Sequence, residues 1–334
     1  MESGTKAPTV NSQVDTSATI PSPETIAAQP ALRARAASDR RPGRLSRSEA
    51  TAAFLFLLPN TICFLLIGIF PVLASFSLSF FDWPVLQAPD FVGLENYRRL
   101  LFEDTIFVTA LLNTLYFVGL VVPLNTVLAL GLAMLLNIGL SGTLVFRAIF
   151  FFPVLCSSVA TSLIWKWMYN TDYGLINYLL RNAGLPAPDW LASLAWAMPA
   201  LIIMAAWQGA GFNMVILLAG LQNIPRQLYE AAEIDGAGAL RKFRHVTLPM
   251  LSPTLFFVVV IAVIHSFQVF DQAFVMTEGG PGKATTTIVY YLYQHGFKWF
   301  QMGYASAIAW VLFVVLFGLT LAQVSLQTRW VHYE

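Results

Sequence analysis

The sequence predicts an all-α, polytopic membrane protein of six transmembrane helices, and three observations predict it. The chain is 57% hydrophobic and only 11% charged, whereas a soluble domain carries roughly 25% charged residues. Its mean hydropathy of +0.65 suits a chain solvated by lipid. Its apolar residues gather into six stretches, each long enough for the roughly 20 residues that cross a bilayer.

The first 48 residues are different material. They are rich in Pro, Ala, Ser and Thr and end in Arg33, Arg35, Arg40, Arg41, Arg44 and Arg47. No apolar h-region marks a cleavable signal peptide. The composition predicts a disordered basic tail held near an anionic leaflet. The rest, 49–334, reads as one transmembrane domain with spans at about 54–80, 108–136, 146–167, 194–221, 255–276 and 304–326. Pro71, Pro123 and Pro153 fall inside spans, where neighbouring helices can satisfy the backbone groups they free. Cys63 and Cys156 lie in separate apolar runs without His or Cys at ligand spacing, so neither a disulfide nor a metal site is expected.

Lys and Arg set the orientation. With the N-terminus in the cytoplasm, 13 of the 19 cations fall inside, leaving Arg98, Arg99, Lys166, Arg181, Lys283 and Lys298 outside. Both termini are therefore placed in the cytoplasm of a cell-membrane protein. Loops at about 82–107, 168–193 and 277–303 face outward, bordered by aromatics including Trp83, Trp167, Trp190 and Trp299. These suit an interfacial belt or loop packing.

The cytoplasmic segment 222–252 is the most patterned of the connections. Pro225 suits a first helical turn. Leu228, Tyr229, Ala232 and Glu233 lie at three- and four-residue spacing and share one face. Glu230 and Glu233 sit in the early turns, where a helix end is positive. Asp235-Gly236 is a stop-and-turn signal. A second short helix then carries Leu240, Arg241, Lys242, Phe243 and Arg244, and Leu248-Pro249 is expected to end it before the fifth span.

The run Glu230-Ala231-Ala232, with Asp235-Gly236-Ala237, Phe243 and Leu248-Pro249, resembles the EAA loop of importer-type ABC permeases. Within them it resembles the carbohydrate-uptake branch, which includes the maltose and glycerol-phosphate permeases. The likeness extends to Phe91-Val92-Gly93-Leu94-Glu95-Asn96-Tyr97, to Gly174-Leu175-Ile176-Asn177, and to Gly279-Gly280-Pro281 with Thr285-Thr286-Thr287. It implies that Glu230, Ala231, Ala232, Asp235, Gly236 and Phe243 couple this chain to a separate ATPase. It also implies partners: a second homologous permease, two ATP-binding subunits that hold ATP and Mg, an extracytoplasmic solute-binding protein and membrane lipid, with no nucleic acid.

No cofactor and no enzymatic activity are expected in the chain itself. Gly282-Lys283 lacks the P-loop pattern, with Thr277 in place of the first Gly and Ala284 after the Lys. No G-x-S-x-G, H-E-x-x-H or C-x-x-C occurs.

Polar residues inside spans are the default functional candidates, because lipid makes them costly. Span four carries Gln208 and Asn213 beside Gly209 and Phe212; span five carries Gln268 and Asp271 beside Phe267. Gln268 and Asp271, three apart, are expected on one helix face. Amides and a carboxylate suit sugar hydroxyls, and an aromatic ring suits the apolar face of a sugar. The family likeness places solute contacts at Gln208, Gly209, Phe212, Phe267, Gln268 and Asp271, with Ser158 on span three. The same polar groups could instead tie helices together, and His265 is expected to do so. No Lys or Arg lies deep in any span, which favours a neutral sugar, oligosaccharide or polyol over glycerol 3-phosphate. A reading from another class is an ion-coupled secondary transporter, with Asp271 and His265 as a relay. That reading leaves the EAA loop without a purpose.

Overall fold

The computed structural model describes residues 47–138 and 142–327. Of the expected tail, only Arg47 and Ser48 fall among them, as the opening of the first helix; the C-terminal Arg329 also lies outside. The chain divides into two compact units, one ending at Ile69 and one running from Phe70.

In the first unit, α1 (Arg47–Cys63) runs into a π-helical turn, Phe64–Ile69. Phe54, Phe56, Leu66 and Ile67 are exposed, as apolar side chains facing lipid would be.

The second unit opens with α2 (Phe70–Leu78), a two-residue hairpin of β1 (Phe81–Asp82) and β2 (Asp90–Phe91), and α3 (Glu95–Arg98). The long helix α4 (Thr105–Asn137) follows, then α5 (Thr143–Leu155), α6 (Ser158–Met168) and α7 (Leu175–Asn182). Helix α8 (Ala197–Gln222) leads to α9 (Arg226–Ile234), α10 (Ala239–Lys242) and α11 (Leu248–Phe267). Last come α12 (Ile288–Tyr293) and α13 (Met302–Gln327).

Among the described residues, five helices are long and apolar enough to cross a membrane: Thr51–Leu78, Thr105–Asn137, Ala197–Gln222, Ala239–Phe267 and Met302–Gln327. A sixth exists when α5 and α6, bent by 97°, count as one broken span. The unbroken span expected over 146–167 is therefore corrected. Pro153 removes a helical N–H near the end of α5, and Cys156 then turns to an extended conformation with ψ 143°.

Helix α8 is the hub. In its most apolar window 56% of residues are buried, against 22–33% for α4, α13 and the helix ending at Phe267. Lipid supplies no hydrophobic drive between helices, so close backbone approach must hold the bundle. Glycines allow it. A Cβ on Gly211 would lie 2.1 Å from the Phe150 carbonyl oxygen of α5, and one on Gly220 would lie 2.7 Å from Thr254 Oγ1 of α11.

The first and third of the loops expected outside meet at one end, and a bond joins the helix ends beside the second and third. Val85 N–H donates to the Phe300 carbonyl (3.2 Å), Met302 N–H to that of Trp83 (3.1 Å), and Lys166 Nζ to that of Val275 (3.0 Å). Two of the motifs behind the family resemblance are glue here. Asn96 Nδ2 donates to the carbonyls of Ser79 and Phe81, both at 2.9 Å. The fully buried Asn177 accepts from Trp190 Nε1 (2.8 Å) and donates to the Pro188 carbonyl (3.1 Å). Trp190 is thus a packing residue, whereas Trp167 and Trp299 remain exposed.

Asp104 ties three elements at this end. As N-cap of α4, its Oδ1 accepts from the N–H groups of Ile106 (2.9 Å) and Phe107 (3.0 Å). Its Oδ2 accepts from the hydroxyls of Tyr291 on α12 (2.6 Å) and Tyr304 on α13 (2.5 Å). Burial opposes the carboxylate's charge, but the bonds from Tyr291, Tyr304, Phe107 and Ile106 outweigh it and hold the carboxyl below its usual range. Burial, and the bond to Asp104, push the Tyr291 hydroxyl up.

Asp104→Ala should cost about 1–2 kcal/mol, the size of a lost N-cap, read as a lower melting temperature of the purified protein. A depressed folded pKa contributes stability above the unfolded value that disappears as pH falls through the folded one. The wild type should therefore lose melting temperature faster than Asp104→Asn below about pH 4. Gly211→Ala should destabilise strongly, while Gly119→Ala, with nothing within 4 Å of the added carbon, should not.

Candidate functional site

Helices α4, α5, α6, α8 and α11 line an open cavity of about 590 Å³, within the range of small-molecule sites. Seven of the eight residues expected along a solute path line it: Ser158, Gln208, Gly209, Phe212, Asn213, Gln268 and Asp271. Phe267 does not. It is 1% exposed and packs into the core. Phe270 takes the aromatic place on the wall instead, stacked on Phe274 at 5.3 Å between centroids.

The exchange has a backbone cause. Gln268 and Asp271 were expected on one face of an unbroken helix, but α11 ends at Phe267 with Gln268 as its C-cap at φ −92°, ψ 15°. The chain is non-helical through Val269 and Phe270 and resumes helical form only at Asp271. Phe267, the last helical residue, faces the core, and beyond the break Gln268, Phe270 and Asp271 reach the cavity. His265, expected as a helix tie, is exposed on the cavity wall.

Asn213 behaves differently from its neighbours. It is 6% exposed, and its Nδ2 donates to Asn125 Oδ1 at 2.5 Å. Asn125 Nδ2 in turn donates to the Ala206 carbonyl at 2.9 Å. A Cβ on Gly209 would sit 2.8 Å from that same Nδ2. The amide pair joins α4 to α8 at the cavity floor, so Asn213 serves as the tie. Asn125 was not singled out from the sequence, although a lone Asn in the middle of an apolar span is the signal that marks intramembrane polar candidates. Asp271 is the one carboxylate among the lining residues, and no Lys or Arg stands with it.

Helix α8 carries the chain from the loop end to the opposite end, where the 222–252 segment lies. Helix α9 is capped by a Gly C-terminal motif: Gly236 N–H donates to the Glu233 carbonyl (3.0 Å) and Ala237 N–H to that of Ala232 (2.8 Å). Gly236 sits at φ +73° with open space around its α-carbon, so conformation rather than crowding demands glycine there. Lys242 Nζ clamps Glu233 at 2.7 Å across the turn. Its hydrogen bond and charge hold the Glu233 carboxyl below its usual range. Glu230 pairs with Arg226 at 3.3 Å, an exposed pair worth little.

Tyr229 and Ala232 are half-buried, and the Tyr229 hydroxyl meets Thr247 Oγ1 at 3.0 Å. Leu228 and Glu233, expected on that face, are exposed, as are Glu230, Ala231, Asp235 and Gly236. Phe243 is half-buried. Ile234 and Leu240 were missed as surface residues, yet they are 88% and 79% exposed. Pro249 does not end the second helix, because Ala239–Phe267 runs as one. A proline clashes with the carbonyl four residues before it, here His245. His245 lies in a π-helical turn, Phe243–Thr247, whose wider winding absorbs the clash.

A bundle of lipid-length helices, broken twice around a polar and aromatic cavity and carrying an amphipathic helix pair at one end, is the build of a multi-pass transport protein. Residues 106–331 match the family of the binding-protein-dependent transport system inner membrane component, and the chain belongs to that family. It is a permease subunit of an ABC importer and a multi-pass protein of the inner membrane; ATPase activity lies in partner subunits.

Among its relatives, the arabinooligosaccharides transport system permease of Bacillus subtilis is 35% identical, over 84% of this chain and 89% of that one. The sulfoquinovosyl glycerol transport system permease of Agrobacterium fabrum is 35% identical over 81% and 88%. The trehalose/maltose transport system permease of Thermococcus litoralis is 36% identical over 83% and 94%. A bacterial ABC transporter that imports the acidic polysaccharide alginate contains a chain of the same fold, at TM-score 0.73 and 25% identity, covering 83% of this chain and 95% of that one.

Replacing the two phenylalanines beside the break should separate stability from recognition. Phe267→Ala should cost about 3–5 kcal/mol as a core truncation, measured by thermal unfolding. Phe270→Ala should leave the melting temperature closer to wild type and change solute affinity instead.

Proposed function

We propose that this chain forms half of the path for a neutral sugar, oligosaccharide or polyol, working beside a second permease, two ATP-binding subunits and an external solute-binding protein. The observation that carries the substrate class is the cavity wall: Gln208, Gln268 and Asp271 offer hydrogen bonds to hydroxyls, with Phe212 and Phe270 as apolar faces. A phosphate ester or other strong anion would meet Asp271 with no cation in the lining. The uptake systems named for arabinooligosaccharides and trehalose/maltose support a saccharide.

In this reading the 222–252 segment and both termini face the cytoplasm, and Glu230, Ala231, Ala232, Asp235 and Gly236 dock on an ATP-binding subunit. Exposed Ile234 and Leu240 add the apolar contact, while Phe243 braces the pair from within. Because Ala239–Phe267 is a single helix, movement of the docked loop is delivered to the break at Gln268. Alternating access then opens the cavity to one side at a time.

Uptake of labelled maltose, arabinotriose and glycerol 3-phosphate into vesicles holding the assembled complex tests this reading. Saccharide uptake without glycerol 3-phosphate uptake is expected. Gln268→Ala and Asp271→Ala should each raise KM about tenfold, equivalent to about 1.4 kcal/mol; unchanged KM in both would move the site elsewhere. Gly236→Asp should insert normally yet uncouple transport, and undiminished uptake by it would remove the docking assignment.

A further inference from the structure

The break in the fifth span raises a question that the cavity residues do not answer. Ending α11 at Phe267 frees backbone carbonyls that a continuing helix would have satisfied. Val269, in the middle of the break, is 6% exposed, so its carbonyl needs a partner from the protein. That partner comes from the outer loop: the Thr287 hydroxyl, fully buried, donates to the Val269 carbonyl at 3.0 Å.

Thr287 is itself held. It is the N-cap of α12, its oxygen accepting from Tyr290 N–H at 3.4 Å. The next residue, Ile288, donates its N–H to Thr114 Oγ1 of α4 at 3.0 Å. Beside Thr114, Asn113 Nδ2 donates to the carbonyls of Lys283 (2.8 Å) and Thr286 (3.0 Å). Within the loop, Thr285 and Thr286 donate to the carbonyls of Gly280 (2.7 Å) and Gly279 (3.0 Å). A chain of hydrogen bonds, buried at Thr114, Ile288 and Thr287, therefore runs from α4 through the loop to the backbone between Gln268 and Phe270.

We propose that Thr287 is a positioning residue for solute recognition: by holding the Val269 carbonyl, with Asn113 and Thr114 as its anchor on α4, it sets Gln268, Phe270 and Asp271 toward the cavity and keeps Phe267 in the core. Thr287 touches no solute; it acts through the broken backbone. The consequence for recognition rests on the saccharide reading above, whereas the clamp itself does not.

The test uses the assembled transporter carrying Cys63→Ala and Cys156→Ala, with Phe270→Cys as reporter, and measures its labelling by a maleimide in detergent. Thr287→Val should speed labelling about threefold or more, as expected for a segment that has lost a bond of ordinary strength. Thr287→Ser, which keeps the hydroxyl, should label like the parent, and Asn113→Ala should shift the rate in the same direction as Thr287→Val. Without the reporter, Thr287→Val should raise KM for maltose or arabinotriose about fivefold with little change in maximal rate, and Thr287→Ser should restore it. Equal labelling of Thr287→Val, Thr287→Ser and the parent would overturn the clamp. Faster labelling with unchanged KM would leave the clamp standing but overturn its role in recognition, whereas no uptake of either saccharide by the parent would count against the saccharide reading instead.

Discussion

Inside a bilayer no water can satisfy a backbone N–H or C=O, so each departure from the helix must bring its own partner. The rest of the architecture follows from how this constraint is met. Helix α4 and the span Thr51–Leu78 meet it by remaining helical throughout. Two of the spans at the cavity depart from it: α5 and α6 part at a 97° bend, and α11 stops at Phe267. The second departure is supported by Thr287 on the Val269 carbonyl. Breaking a helix is costly in lipid, and the return is a wall where Gln268, Phe270 and Asp271 can face one cavity.

Close packing on glycines joins the helices around that cavity. Gly209, Gly211 and Gly220 bring α8 against α4, α5 and α11 at distances no side chain would allow, and the Asn125–Asn213 amide pair locks the first of these contacts. At the loop end, Asp104 joins α4, α12 and α13 through four hydrogen bonds to one carboxylate. At the other end, the α9–α10 turn is fixed by the Gly236 cap and the Glu233–Lys242 pair. The helix from Ala239 to Phe267 joins that turn to the cavity without interruption.

Much of this was legible in the sequence because lipid imposes a coarse code of long apolar runs with rare polar residues. Gln208, Gln268 and Asp271 stood out within such runs and do line the cavity. The misreadings share a cause. Phe267 was placed on the path and Pro249 at a helix end by assuming regular winding, whereas the chain leaves the helix at Gln268, so that Phe270 rather than Phe267 reaches the cavity, and a π-helical turn carries the helix through Pro249. Asn125, Asn113 and Thr114 were passed over because their partners lie 81 to 174 residues away in the chain. The loop motifs Asn96-Tyr97 and Gly174-Asn177 marked the family, but only the folded chain shows them as loop ties.

What the sequence alone determined is the solvent this protein lives in, its apolar segments of lipid length, and the Gly-turned helix pair of the 222–252 segment. Those depend on composition and on local spacing, which travel with the chain wherever it is. What the tertiary structure decided is which polar side chains face one another and which face the cavity. A one-residue change in winding rotates a helical side chain by about 100°. Whether such a change is tolerated depends on a hydrogen-bond partner far away in sequence, as Thr287 is for Val269.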